Sequence, residues 1–328
     1  MIRDMKRLAV VLLAAVAGCA SSGSRAAPAA TTVTASPLRE IHVGAASQQR
    51  IAVPNPDGLV AVAGGIFVKT DDGTVVRIDP ATNQVTARRR VDSTSDSGHY
   101  CQGIGTDGTS VWACATGSQT TGLVKLDPVT LRITARVAVD KVFDQLALPH
   151  NSRGIWVLVD AGRTLAVVEA TSGRVTTYPL GRRCLQVAAD ERDVVVTCAT
   201  ENRVLLLAPA TGRVRREITL PAPRLAALTS DDIWVDTSGG LTRLNRSGAM
   251  QARYANLTAG LDGDLVSADG ALWLRERDGP VAEIHPTLGS VVARYVPPVS
   301  LSPGSLLVTA DALWASGNNE GLVVRTPR

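Results

Sequence analysis

Aromatic residues are scarce in this sequence, with two Phe, five Trp and four Tyr among 328 residues. Histidine occurs four times and lysine four times, against thirty arginines. No apolar run approaches the ~20 residues a membrane-spanning helix needs. The chain also lacks Cys-x-x-Cys, His-Glu-x-x-His, Gly-x-Ser-x-Gly and Walker motifs, so the zinc, metalloprotease, serine-hydrolase and P-loop chemistries that use them have no anchor here. "GIGTDG" at 103–108 has dinucleotide-fingerprint spacing, but no helical pattern follows it. Apolar residues do not recur at the helical period, which excludes helical bundles and doubly wound folds.

The few aromatics are concentrated at one repeated position. Phe67, Trp112, Trp156, Val195, Trp234, Trp273 and Trp314 are separated by 45, 44, 39, 39, 39 and 41 residues, and six of the eleven aromatics stand there. Each is followed by a short polar loop, a second apolar strand, a turn and a third strand, as in "GIFVKTDDGTVVRIDPATNQVTARRRV" from Gly65. A period near forty residues filled with short strands predicts an all-β, seven-bladed β-propeller of four-stranded antiparallel blades. Residues 38–328 supply roughly 41 residues per blade, so they read as one domain. A large flat side chain on the second strand suits the wedge between neighbouring sheets, so the Trp position is read as packing.

The blade pattern is clearest in the second unit. Its inner strand begins near Cys101, and the others run over Val111–Ala115, Leu123–Leu126 and Ile133–Val139. Turns such as "DPATN" at Asp79, "DPVTL" at Asp127 and "HPTLG" at His285 join third to outer strands, with residue preferences typical of β-turns. The last unit ends at Arg328 with no outer strand, while residues 48–53, "QQRIAV", match outer strands elsewhere. An N-terminal strand is therefore expected to complete the seventh blade and hide its edge.

Residues 1–18 read as an export signal. Arg3, Lys6 and Arg7 precede an apolar stretch from Leu8 to Val16, and Val16-Ala17-Gly18-Cys19 looks like a bacterial lipobox. Resemblance to that motif implies diacylglycerol transfer to Cys19 and cleavage before it, giving an exported protein lipid-anchored to the cell membrane on its extracytoplasmic side. Residues 19–37 then hold the lipidated Cys and a flexible tether of Ala, Ser, Thr and Pro. Without residues 1–18 the basic and acidic residues number 31 and 29, a formal charge of +2. No basic stripe is visible in the linear sequence, and a nucleic-acid partner is not expected.

Four further cysteines occupy equivalent places in the second and fourth units, Cys101 and Cys184 at the start of inner strands and Cys114 and Cys198 just past the anchors. A hairpin centred on Asp107-Gly108 would set Cys101 opposite Cys114, within disulfide range. The expected bridges are Cys101–Cys114 and Cys184–Cys198, in keeping with an oxidising compartment. Their spacings of 13 and 14 residues suit hairpins better than metal chelation.

Binding is expected on loops that enter the inner strands and leave the Trp strands. The longest of these, Asp92–Gly103, carries His99 and Tyr100. With Lys141, Arg182 and Arg183 they make a candidate site for an anionic or carbohydrate-like group, or for an envelope protein.

The pattern "DGALWLRERDGPVAEIHPTLGSVVARY" at 269–295 resembles the repeats of YVTN-type and streptogramin-lyase-like (virginiamycin B lyase) seven-bladed propellers, over residues 46–328. For the lyases of that group the resemblance implies a His and Glu cluster with a divalent metal. Here His42, His99, His150 and His285 stand in separate segments, with no close His-Glu-His arrangement. His285 sits where Asp79 and Asp127 open turns. Two readings follow: a monomeric, lipid-anchored binding or scaffold module without cofactor or catalytic residues, and an envelope lyase or hydrolase using rim acids and His99. The missing catalytic cluster favours the first.

Overall fold

In the computed structural model residues 39–92, 101–116, 121–139, 142, 145–260, 263–277 and 279–328 are described. Their strands form seven separate sheets in sequence order around a ring, the β-propeller that the forty-residue period implied. The first blade comprises Pro56–Val62, Gly65–Thr70, Thr74–Asp79 and Gln84–Arg90. The next five follow the same inner-to-outer order, ending in outer strands Ile133–Ala138, Val175–Pro179, Val214–Thr219, Met250–Tyr254 and Val291–Val296.

The seventh blade closes as expected. Its chain-terminal strand Leu322–Pro327 pairs antiparallel with Gln49–Ala52, Ile51 facing Val323, and the Val53 N–H donates to the Gly321 carbonyl. This pairing leaves the third strand of the seventh blade with no open edge. All seven blades are thus built from residues 49–328, and nothing before them is needed to complete the circle. Two strands were not foreseen: Arg39–His42 lies parallel to Val291–Val296 as a fifth strand on the outer edge of the sixth blade, and Ala147–Leu148 lies parallel to Ile104–Thr106 on the inner edge of the second.

Every anchor is buried, and each of the seven inter-blade cores contains one of them. Phe67 reaches Val111 and Ala113 of the second blade, and Trp314 reaches Ile66 and Val68 of the first across the closure. Losing one such side chain would cost about 3–5 kcal/mol, so these residues are committed to packing. The indole N–H groups are satisfied by one repeated device: the residue five positions earlier, in the turn between inner and second strands, supplies the acceptor. Trp112 donates to Asp107 (2.9 Å), Trp156 to Asn151 (2.9 Å), Trp273 to the Ala268 carbonyl (3.2 Å) and Trp314 to Thr309 (3.3 Å). Trp234 lacks this bond among the described residues, and the equivalent Thr229 hydroxyl bonds the Asp232 backbone instead.

Opposite the anchor on the third strand stands a cation in four blades: Arg77, Lys125, Arg243 and Arg325. Lys125 lies 5.3 Å from the Trp112 ring centre and 2.9 Å from Asp107. Burial pushes the Asp107 carboxyl up, but hydrogen bonds from Trp112, Lys125 and Thr109 outweigh it and hold the group well below the ordinary carboxylate range.

The second-blade hairpin corrects the expected register. Ile104 pairs with Ala113 and Gly105 with Trp112, so Gly103 rather than Cys101 faces Cys114. The turn spans four residues, Asp107–Ser110, because the Asp107 carboxylate caps the backbone N–H groups of Thr109 and Ser110 while Gly108 takes a φ of +84°. The centre therefore moves one residue along the chain. Both bridges still form, with Cα–Cα distances of 5.9 Å for Cys101–Cys114 and 3.9 Å for Cys184–Cys198. Non-reducing peptide mapping should recover these two pairs, and reduction should lower stability by roughly 2–4 kcal/mol per bridge. Free thiols or a bridge between blades would contradict the pairing.

Folding places arginines from three repeats on neighbouring blades. Arg50, Arg88, Arg89, Arg90, Arg132 and Arg136 are all exposed, on or next to the outer strands of the seventh, first and second blades. These blades are neighbours in the ring. The linear sequence hid the grouping because these residues come from three different repeats.

Candidate functional site

One rim of the ring is formed by loops that lead into inner strands and loops that leave second strands. Its architecture depends on the position two residues beyond each anchor. Lys69, Thr197, Asp236, Arg275 and Ser316 stand there, each no more than 1% exposed. Polar groups cannot be buried at such a position unless bonded, and each of these ties down the loop leading to the following blade. Lys69 reaches Asp92 at 2.9 Å, and Thr197 donates to the Arg224 carbonyl at 2.7 Å. Asp236 accepts from Thr258 (2.9 Å) and the Ala259 N–H (3.1 Å). Arg275 donates to the Ser302 and Ser305 carbonyls at 2.7 and 3.1 Å, and Ser316 to the Asp57 carbonyl at 2.6 Å.

Burial sets the electrostatics of these staples. It lowers the Lys69 ammonium, opposed by Asp92, Asp72 and Asp57, and raises the Asp92 carboxyl, opposed by Lys69 and the Thr116 N–H. It raises Asp236 against the pull of Arg224, and it brings Arg275 down to about 10 against Asp264 and Glu320.

A second polar knot joins the seventh, first and second blades. The Asn318 amide donates to both Asp57 (3.0 Å) and Asp71 (2.9 Å), and Gln102 donates to Asp71 at 2.9 Å. Burial pushes Asp71 up, but its bonds with Asp57, Gln102 and Asn318 and the charge of Lys69 leave it below the ordinary carboxylate value. The sequence offered no signal for Asp57, Gln102 or Asn318 as partners, since they are up to 261 residues apart.

The sequence-derived candidates distribute as follows. Arg182 forms a two-pronged pair with Glu217 on the fourth blade's outer strand, at 3.0 and 3.1 Å, while Arg203 approaches the same carboxylate at 3.9 Å. Arg183 is exposed beside it. His99, Tyr100 and Lys141 lie outside the described residues, as does Cys19. Cys101 belongs to the second blade and Arg182-Arg183 to the fourth, with the third between them.

Other rim acids serve the loops. Asp72 caps the Thr74 N–H (3.1 Å), Glu320 holds Ser302 (2.9 Å), and Glu276 pairs with Arg294. His285 accepts the N–H groups of Thr287 and Leu288 at 3.2 and 3.3 Å, the turn role expected of it. His42 lies 3.7 Å from Glu40, and His150 is half-buried on an inner strand. Among the described residues no three His, Cys, Asp or Glu side chains are placed to hold a metal ion.

No family model and no curated protein matches the chain. Solved structures do. BamB from Moraxella catarrhalis is 13% identical with a TM-score of 0.57, covering 85% of this chain and 98% of its own. U3-55K is 12% identical with a TM-score of 0.68 over 87% of this chain and all of its own length. The Neurospora crassa Pan2 WD40 domain is 11% identical with a TM-score of 0.68 over 88% and 98%. At such identities the likeness speaks for architecture alone, and the architecture is a seven-bladed β-propeller.

Proposed function

We propose that the chain is an exported lipoprotein whose propeller serves as a binding scaffold at the cell envelope, anchored through Cys19 and working as a monomer. The observation that carries this reading is the pair of disulfides, at equivalent places on one rim of the second and fourth blades. Such bridges persist in oxidising compartments. They also pre-organise the loops beside them, which lowers the ordering cost of recognition. His99 and Tyr100 directly precede Cys101, Arg182 and Arg183 directly precede Cys184, and Lys141 leads into the third blade between them. These residues make the rim a candidate contact for an envelope protein or for an anionic or carbohydrate-like ligand. The repeat's resemblance to YVTN-type and streptogramin-lyase-like propellers is consistent with this architecture and adds no catalytic group.

The test has two arms. Cys19→Ser should release the protein from membranes or leave it unprocessed, and mass spectrometry finding an unmodified mature N-terminus in the wild type would refute lipidation. For recognition, envelope proteins and glycans are captured on residues 20–328 and the hits are re-measured against a combined alanine variant of His99, Tyr100, Arg182 and Arg183. Affinity should fall about tenfold or more, the order expected from losing one or two good polar contacts, while the melting temperature stays unchanged. Undiminished affinity would move the site to another face.

A further inference from the structure

The arginines of the outer rim are unevenly distributed in their pairing. On the third to sixth blades most are engaged: Arg174 by Glu169, Arg215 by Asp193, Arg216 by the Ser247 carbonyl and Arg294 by Glu276. On the seventh, first and second blades Arg50, Arg88, Arg89 and Arg132 are exposed and form no ion pair with any described residue. Arg90 and Arg136 stand on the same outer strands. Those three strands, Gln49–Ala52, Gln84–Arg90 and Ile133–Ala138, carry no Asp or Glu at all. Asp79 and Asp127 cap the N–H groups of their own turns at 2.9 and 2.7–3.1 Å, with Asp127 feeling the charge of Arg132, and Asp72 and Asp92 feel that of Arg90. Arg50, Arg88 and Arg89 thus add exposed positive charge that no ion pair among the described residues offsets, and like charges so placed repel one another and work against the fold, which points to an external anion.

The path of the chain identifies that anion. The described chain begins with Arg39–His42 on the outer edge of the sixth blade and passes directly into Gln49–Ala52, the strand that bears Arg50. A tether from the membrane therefore joins the ring beside the basic side.

We propose that the outer strands of the seventh, first and second blades form a docking face for an anionic phospholipid surface, so that the propeller rests edge-on against the membrane and turns its loop rims sideways. The orientation argument rests on the lipid-anchor reading, whereas the charge argument stands without it. A basic surface adds electrostatic attraction to an acyl anchor, each arginine contributing while it lies within a Debye length of the headgroups. A pair of signals of this kind fixes orientation, which a flexible tether alone does not.

The experiment uses residues 20–328, which contain every strand of the closed ring and carry no lipid, so its outcome is independent of modification at Cys19. Co-sedimentation is measured with vesicles of phosphatidylcholine alone and of equal parts phosphatidylcholine and phosphatidylglycerol. Binding is expected only with phosphatidylglycerol, falling steeply as salt is raised. Combining Arg50→Gln, Arg88→Gln, Arg89→Gln and Arg132→Gln should weaken partition roughly tenfold or more. A charge-matched variant on the far blades, Arg174→Gln, Arg213→Gln, Arg216→Gln and Arg253→Gln, should lose less than threefold. Equal losses in the two variants would reduce the effect to net charge and overturn the proposal. So would equal binding to neutral vesicles, or binding to a DNA duplex at the same salt without binding to vesicles. Unchanged melting temperatures in both variants exclude unfolding as the cause.

Discussion

Deleting Ile51–Val53 is expected to cost the protein its cooperative fold. Ile51 and Val53 are 6% and 0% exposed, in the core shared by Trp314, Ile66 and Val76. Burial of two such side chains contributes about 3–6 kcal/mol, a large share of the stability of an ordinary domain. The deletion also strips Leu322–Pro327 of its pairing partner, turning a central strand into an exposed apolar edge that templates association. Light scattering should show aggregation, and thermal unfolding should shift down or lose its cooperative transition. Trimming residues 20–37, which precede every strand of the described ring, should leave the melting temperature unchanged. Equal melting temperatures for the two truncations would show that the ring does not close through this strand.

Lys69→Met is expected to destabilise the protein by about 3–5 kcal/mol at neutral pH, the usual cost of leaving one member of a buried pair uncompensated. Both side chains of the Lys69–Asp92 pair are 0% exposed, 2.9 Å apart. The pH dependence gives a sharper check. Burial already raises the Asp92 carboxyl above its ordinary value, and removing the ammonium raises it further. A group with a raised folded pKa loses stability as pH climbs, so the deficit of Lys69→Met should shrink as pH falls toward about 4.

Asp92→Asn behaves in the opposite sense. Lys69 is lowered from 10.5 by burial, and without its counter-charge it is lowered further. That deficit should shrink as pH rises toward about 10. The double change Lys69→Met with Asp92→Leu should recover most of either loss, since an apolar pair needs no charge compensation. Chemical denaturation across this pH range distinguishes the cases. Parallel pH slopes for the two single variants would mean that the charges are not coupled as the geometry indicates.

Much of this molecule is readable before any coordinates. The seven anchors, the turn residues Asp79, Asp127 and His285 and the closing strand each announce themselves through repetition, because every blade solves the same packing problem with the same chemistry. The cysteine pairing was readable for the same reason. The register beneath it was not, since an aspartate capping its own turn at Asp107 lengthened the loop from two residues to four. A side chain bonding to nearby backbone is a local choice that hydrophobic alternation does not encode.

The rim candidates were harder to read. Loop position marked Arg182 as available, yet Glu217, 35 residues away, takes its guanidinium. Nothing in the strand pattern singles out Lys69, and only the converging blades enclose it fully with Asp92.

By itself, the sequence determined the blade count, the strand order, the anchors between blades and the circular closure, because these depend on short-range periodicity repeated seven times. Tertiary structure alone decided which charges meet. It buried Lys69 with Asp92, bridged Asp57 and Asp71 through Asn318, and gathered Arg50, Arg88, Arg89 and Arg132 from three repeats onto one side. Electrostatic interactions follow distance in space, and in a closed ring residues from different blades become neighbours whatever their separation along the chain.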